Sequence, residues 1–343
     1  MFLHLQSFQW MWLNVAVLLG GGSVPSVEEL MRQAVPAWLE YERRADHFTG
    51  DVDYVEETGI GRSDGARTEN GRIRVQVAPL YRLFHITAES ASPDGKRAYN
   101  EEVLGHNTKY RFRLSRSSKE RDLVVKELEQ TPQLSLTTGV HYFRERQLTL
   151  QLVRLNLGHL SDLFASGAIQ VRAIERVDFA GEPLIKVHFE NTKVPGGPRS
   201  ESMRSGYILL DPARDWICRV VDGERFNSAA EIARVHSRTV RTCQQDSSGT
   251  WLPKEVVSET RWELTNGEVL RSRYTAQYRL RVDRSSQEWQ CTLSAFGLPE
   301  PYGVEWERPT PWWLYALISA GVLFVVAVIV SFWKRRLAAR QSA

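Results

Sequence analysis

From Phe48 onward, apolar and polar residues alternate with a period of two. Ile73, Val75 and Val77 alternate with Arg72, Arg74 and Gln76. Tyr110, Phe112 and Leu114 alternate with Lys109, Arg111 and Arg113, and Ile185, Val187 and Phe189 repeat the pattern. The longest case is 270–282. There Leu270, Ser272, Tyr274, Ala276, Tyr278, Leu280 and Val282 share one side, and Arg271, Arg273, Thr275, Gln277, Arg279 and Arg281 the other. Such alternation predicts antiparallel strands with one face buried and one wet. Turn dipeptides at Asn70-Gly71, Asp94-Gly95, Gly181-Glu182 and Asn266-Gly267 divide the runs and predict one extended meandering sheet.

Two stretches follow a helical period instead. Ser26 with Glu29 reads as a capping box. The helix it opens runs to about Arg44, with Leu30, Met31, Ala34, Trp38 and Tyr41 near helical spacing. Pro36 is expected to kink or split it. Between the strand blocks, 156–167 carries Leu157, Leu160, Leu163 and Phe164 as a helical stripe, with Gly167 as its C-cap. A helix there would cover the apolar face of the sheet.

The two ends read differently from the middle. Residues 312–333 are apolar and uncharged, bounded by Trp312, Trp313 and Tyr315 on one side and Phe332 and Trp333 on the other. Length and aromatic flanks predict a transmembrane helix. The basic tail 334–343, with Lys334, Arg335, Arg336 and Arg340, is placed in the cytoplasm by the positive-inside rule. Residues 1–23 hold an apolar segment from Phe8 to Leu19, followed by Gly20, Gly21, Gly22 and Ser23, and read as a signal peptide or an N-terminal hydrophobic anchor. Either reading puts the middle of the chain outside. Pro299, Pro301, Pro309 and Pro311 make 298–311 a semi-rigid stalk. The extracytoplasmic domain is thus 26–297.

Charge and candidate chemistry narrow the function more by exclusion than by signal. The tail's four cations exceed the whole-chain formal charge of +3, so the rest is near neutral and offers no electrostatic footprint for nucleic acid. Gly61-Arg62-Ser63-Asp64-Gly65 matches G-x-S-x-G, but polar residues and another strand follow it where a nucleophile elbow needs a helix. The eight histidines lack metal-ligand spacing, and no P-loop or dinucleotide fingerprint is present, so no cofactor or metal is expected. Cys218, Cys243 and Cys291 lie in strand-like runs. They fit either one disulfide with a free thiol or three buried thiols. The Arg271, Arg273, Arg279, Arg281 stripe reads as a solvated outer face that Glu259 and Glu263 can pair with, ahead of a lipid head-group surface. The other side, Tyr274, Tyr278 and Leu280, with Tyr110 and Phe112 elsewhere, reads either as ordinary core or as an apolar ligand surface.

The order of helix, long strands, covering helix and more strands resembles the outer-membrane lipoprotein carrier superfamily. So do Phe48-Thr49-Gly50 after the first helix and Gly206-Tyr207-Ile208-Leu209-Leu210-Asp211-Pro212 ending in Trp216. The run from Leu293 to Pro301 is similar to a closing segment of bacterial envelope proteins. The resemblance implies a mainly β (α+β) fold, a large curved antiparallel sheet or unclosed β-barrel covered by helices. It also implies a non-catalytic bacterial envelope protein that binds a lipid, a lipidated protein or another envelope partner. The predicted transmembrane helix departs from the soluble carriers, places the chain in the inner membrane and puts shuttling between membranes in doubt. The expected pocket residues are Tyr110, Phe112, Leu114, Tyr274 and Tyr278. Two rival expectations are a structural or sensory domain with a filled core and a hydrolase whose Ser, His and acid converge in space.

Overall fold

A computed structural model of the chain describes residues 24–60, 65–130, 151–155, 158–191, 203–226, 229–305, 316–328 and 330. The chain divides into two compact units, Met1–Leu293 and Ser294–Ala343.

The first unit is mainly β. Six strands come first: β1 (Phe48–Ile60), β2 (Arg67–Val77), β3 (Arg82–Ala91), β4 (Arg97–His106), β5 (Arg111–Arg116) and β6 (Val124–Glu129). A two-stranded ladder, β7 (Arg154–Leu155) with β8 (Gly158–His159), precedes the second block. That block is β9 (Ile169–Phe179), β10 (Glu182–Asn191), β11 (Met203–Asp211), β12 (Ile217–Arg225), β13 (Ile232–Gln245), β14 (Trp251–Leu264) and β15 (Val269–Val282). The blocks join where β1 pairs antiparallel with β15, so 13 strands form one antiparallel sheet. Its order runs β6-β5-β4-β3-β2-β1-β15-β14-β13-β12-β11-β10-β9, and it stays open, with β6 and β9 at its edges.

Helix α1 (Val27–Arg44) starts where Ser26 accepts a hydrogen bond from the Glu29 amide at 3.1 Å. Only that half of the capping box is seen, because the Glu29 carboxylate takes a bond from Gln33 instead. The helix runs through Pro36 without a break, and Pro36 lies on its exposed side. Leu30, Ala34, Trp38 and Tyr41 are fully buried against Ile185, Val187, Ile208, Leu210 and Cys218 of β10–β12. Each large side chain buried there contributes about 2–3 kcal/mol. The expected covering helix is shorter than predicted: α2 (Leu160–Ala165) follows β8, and Phe164 meets Trp38 with ring centroids 5.7 Å apart.

α1 is fastened at the turn between β11 and β12. Asp215 and Trp216 adopt φ values of 55° and 56° there, the left-handed region that side chains disfavour by roughly 1–2 kcal/mol per residue. Trp38 Nε1–H donates to the Trp216 carbonyl at 2.7 Å, and Arg44 pairs with Asp215 at 2.7 Å. These bonds hold the turn in its unfavourable conformation.

Two sequence expectations change here, and the cysteines settle on one of the two states expected. Asn70-Gly71 is no turn but sits inside β2, because the Tyr54 ring lies where a Cβ on Gly71 would be, 2.4 Å from it. Cys291 lies in a short 3-10 helix, Glu288–Cys291, rather than a strand. All three cysteines are free thiols. The turns at Asp94-Gly95, Gly181-Glu182 and Asn266-Gly267 fall between strands as expected.

The second unit contains a helical stretch over 316–328 in which every residue is exposed, among them Leu317, Ile318, Leu323 and Phe324. Among the described residues no helix is long and apolar enough to cross a membrane. The ends of the expected span, the N-terminal segment and the basic tail lie outside the described residues.

Candidate functional site

Register assigns each strand residue to one of two sheet faces. One row of cross-strand partners runs Val187, Ile208, Val221, Thr239, Ser258, Tyr274, Glu56 and Glu69. Val187, Ile208 and Val221 pack in the core that includes α1, so Tyr274 lies on the helix-bearing face. A second row on that face runs Tyr278, Val52, Ile73, Ile86 and Glu102.

The same bookkeeping divides the five expected pocket residues. Leu114 pairs with Val103, which continues through His85, Arg74 and Asp51 to Arg279, the neighbour of Tyr278 that points the other way. Phe112 pairs with Gly105, two residues along on that same opposite face. Tyr110, Phe112 and Leu114 therefore do not converge with Tyr274 and Tyr278. They form their own buried patch, with the Phe112 ring filling the space above Gly105. The segment after β15 closes over it. Tyr81 donates to the Ser286 carbonyl at 2.5 Å, Asn107 to the Cys291 carbonyl at 2.9 Å, and the Leu293 amide to Tyr110 Oη at 2.8 Å.

On the helix-bearing face, Tyr54 and Tyr274 stack with centroids 5.7 Å apart and 27° between planes. Burial raises the Tyr274 and Tyr278 hydroxyl pKa values, and the two hydroxyls face one another. Neither makes a hydrogen bond of normal geometry. Beyond Tyr274 the face carries Ser258, Thr260 and Ser272, then turns apolar again at Trp262 and Leu270, a cross-strand pair. A cavity of about 510 Å³ opens there. Ile232, Trp262, Leu264 and Leu270 line it with apolar side chains, alongside Thr58, Arg67, Ser92 and Pro93. Toward β6 the face becomes charged, with Glu102 and Glu127 against Arg113, and Glu129 against Arg111.

The sequence pattern pointed to the tyrosines but missed the cavity, whose walls come from the ends of strands far apart in the chain. The arginine stripe is on the opposite face and exposed: Arg279 pairs with Asp53 at 2.6 Å and Arg273 with Glu259 at 3.9 Å, while Glu263 pairs with Arg261. The Gly61–Gly65 motif joins β1 to β2, and its residues 61–64 lie outside the described residues. Among the described residues, no three His, Cys, Asp or Glu side chains gather as a metal site.

No protein-family model matches the chain, and no curated protein matches it. Among solved structures it is similar to a DUF1329 family protein from Desulfovibrio piger ATCC 29098. That pair shares 9% identity over 78% of this chain and 98% of the other, with a TM-score of 0.39. A lipovitellin structure concerned with lipid–protein interactions matches at 10% identity over 70% of this chain and 26% of its own, with a TM-score of 0.22. At these scores neither neighbour assigns a family or a function. The class defined by the chain's own geometry is a large open antiparallel sheet with a helix on one face.

Proposed function

We propose that this chain is a non-catalytic, membrane-anchored envelope protein that binds a lipid, or the acyl part of a lipidated protein, on the helix-bearing face of its sheet. The cavity of about 510 Å³ beside Trp262 and Leu270 carries the reading. Its volume lies in the range of small-molecule sites, and its lining is mostly apolar with a few polar side chains, Thr58, Arg67 and Ser92. Tyr274 and Tyr278 extend that face toward α1. The carrier-like order of elements noted in the sequence agrees with this role.

The anchor is part of the proposal. The stretch 316–328 exposes apolar side chains all round, a pattern that suits a lipid environment. Together with the basic tail it supports a single-pass protein of the bacterial inner membrane with a periplasmic domain.

Uptake of a fluorescent fatty acid by the full-length chain in amphipol tests the reading. Saturable uptake, lost when Leu270→Trp fills the cavity, is expected. A folded wild-type chain that takes up nothing would overturn it. One observation favours a second reading, a structural or sensory domain: Phe48, Val52, Ile73, Val75, Phe84 and Ile86 pack with Tyr278 as closed core on the same face.

A further inference from the structure

Arg241 stands within the helix-bearing face. Its partner Val256 leads across the sheet through Ala276 and Tyr54 to Gly71. On its other side it reaches Cys218, whose partner is Leu210. The residue is only 5% exposed. Its guanidinium donates to the Cys218 carbonyl at 3.4 Å and touches Cys218 Sγ at 3.6 Å, while Nε has no acceptor. Among the described residues no carboxylate pairs with it.

Arg219 provides a control in the same molecule. It is buried on the neighbouring strand, but Glu182 and Asp211 accept from it at 2.8 and 3.0 Å, and its Nε–H donates to the Arg241 carbonyl. One buried arginine thus has two carboxylates against it and the other has none among the described residues. An uncompensated buried cation is strongly unfavourable, so an anion there would relieve a large penalty. The nearby Tyr278 hydroxyl lies within electrostatic reach of Arg241 and faces the Tyr274 hydroxyl, and neither makes a hydrogen bond of normal geometry. A guanidinium fork and a phenol together match a group with two anionic oxygens.

Six residues separate the Ala276 row from the Leu270 end of β15, roughly 20 Å of strand. One leaflet of a bilayer holds acyl chains roughly 15 Å deep. An acyl chain of that depth anchored at the Ala276 row covers about three quarters of the distance and ends beside the Leu270 end of the strand.

Resting on the lipid-binding reading above, we propose that Arg241 and Tyr278 hold the carboxylate of a fatty-acid-like amphiphile whose chain runs past Tyr274 toward the Trp262 cavity.

The test compares palmitate, methyl palmitate and acetate binding to the full-length chain in amphipol, for the wild type, Arg241→Met and Arg241→Lys. Wild type is expected to bind palmitate at least tenfold more tightly than the methyl ester, and to show no saturable binding of acetate. Arg241→Met should erase the preference by weakening palmitate at least tenfold more than the ester, and should unfold at a higher temperature without ligand. Arg241→Lys, which keeps the charge and loses the fork, should retain part of the preference and covers the case in which the methionine variant fails to fold. Equal binding of acid and ester by wild type would overturn the head-group assignment while leaving the apolar site standing. Binding of neither would sink the lipid reading with it. Arg241-dependent binding of acetate as tight as that of palmitate would overturn the amphiphile in favour of a small free anion.

Discussion

Tyr54 of β1 and Tyr274 of β15 stack across the sheet junction that, among the described residues, joins strands distant in sequence. The junction joins the first strand block to the last, so the stack ties the two halves of the meander together. Tyr54 also donates to Glu69 at 2.8 Å and lies over Gly71. Tyr54→Ala should destabilise the domain by about 3–5 kcal/mol. Gly71→Ala should cost about 1–3 kcal/mol by overpacking against the ring. In a Tyr54→Val background the cost of Gly71→Ala should largely vanish, because the obstructing ring is gone. Chemical denaturation of the four proteins measures this coupling, and additive costs would contradict it.

The division of the aromatic residues between two faces separates binding from stability. Tyr274→Ser with Tyr278→Ser should abolish fatty-acid uptake in the folded fraction as well as lower stability, because Tyr278 is buried in the core and Tyr274 stacks on Tyr54. Phe112→Ala should cost about 3–5 kcal/mol of stability and leave the affinity of the folded fraction unchanged. Uptake isotherms together with melting curves distinguish the two effects. Loss of affinity in Phe112→Ala would reunite the patches that the register separates.

This division explains what was legible in the sequence and what was not. A period of two assigns residues to sides within one strand, and it located β2, β10 and β15 correctly. It cannot say which side of a distant strand matches, since that parity passes through every register between Leu114 and Tyr278. Asn70-Gly71 has turn chemistry, yet the glycine serves the Tyr54 ring. Pro36 would interrupt a helix hydrogen bond at any interior position, but at an exposed one α1 retains enough burial to continue. Arg241 was invisible because Ser237, Thr239 and Arg241 alternate with Arg238, Val240 and Thr242, giving no apolar side to read.

The network of Asp211, Arg214, Arg219 and Glu182 predicts an acid-sensitive step. Hydrogen bonds from Arg214, then Arg219, hold the Glu182 carboxyl down at about 2 despite partial burial. Its folded pKa lies below the unfolded one, so the unfolded chain takes up the proton first as pH falls. The stabilisation is present above about pH 4.5 and is lost as pH falls toward 2. Melting temperature against pH should therefore drop more steeply for wild type than for Glu182→Gln across that window. Parallel curves would contradict the assignment.

The three thiols should be inert in the native chain. Burial pushes the Cys243 and Cys291 thiols up to about 12, and it raises the fully buried Cys218 as well. A thiol reagent at pH 8 should therefore titrate almost nothing in native protein and three groups in denaturant. Only one group in denaturant would mean that two of the cysteines are paired.

The sheet face beside Trp262 and Leu270 is proposed to hold an apolar ligand. Native mass spectrometry of the full-length chain, purified from cells and released from detergent, tests it most directly. The expected spectrum shows a releasable extra mass of lipid size that disappears in Leu270→Trp. A clean unliganded mass for wild type, with no uptake of added fatty acid, would contradict it.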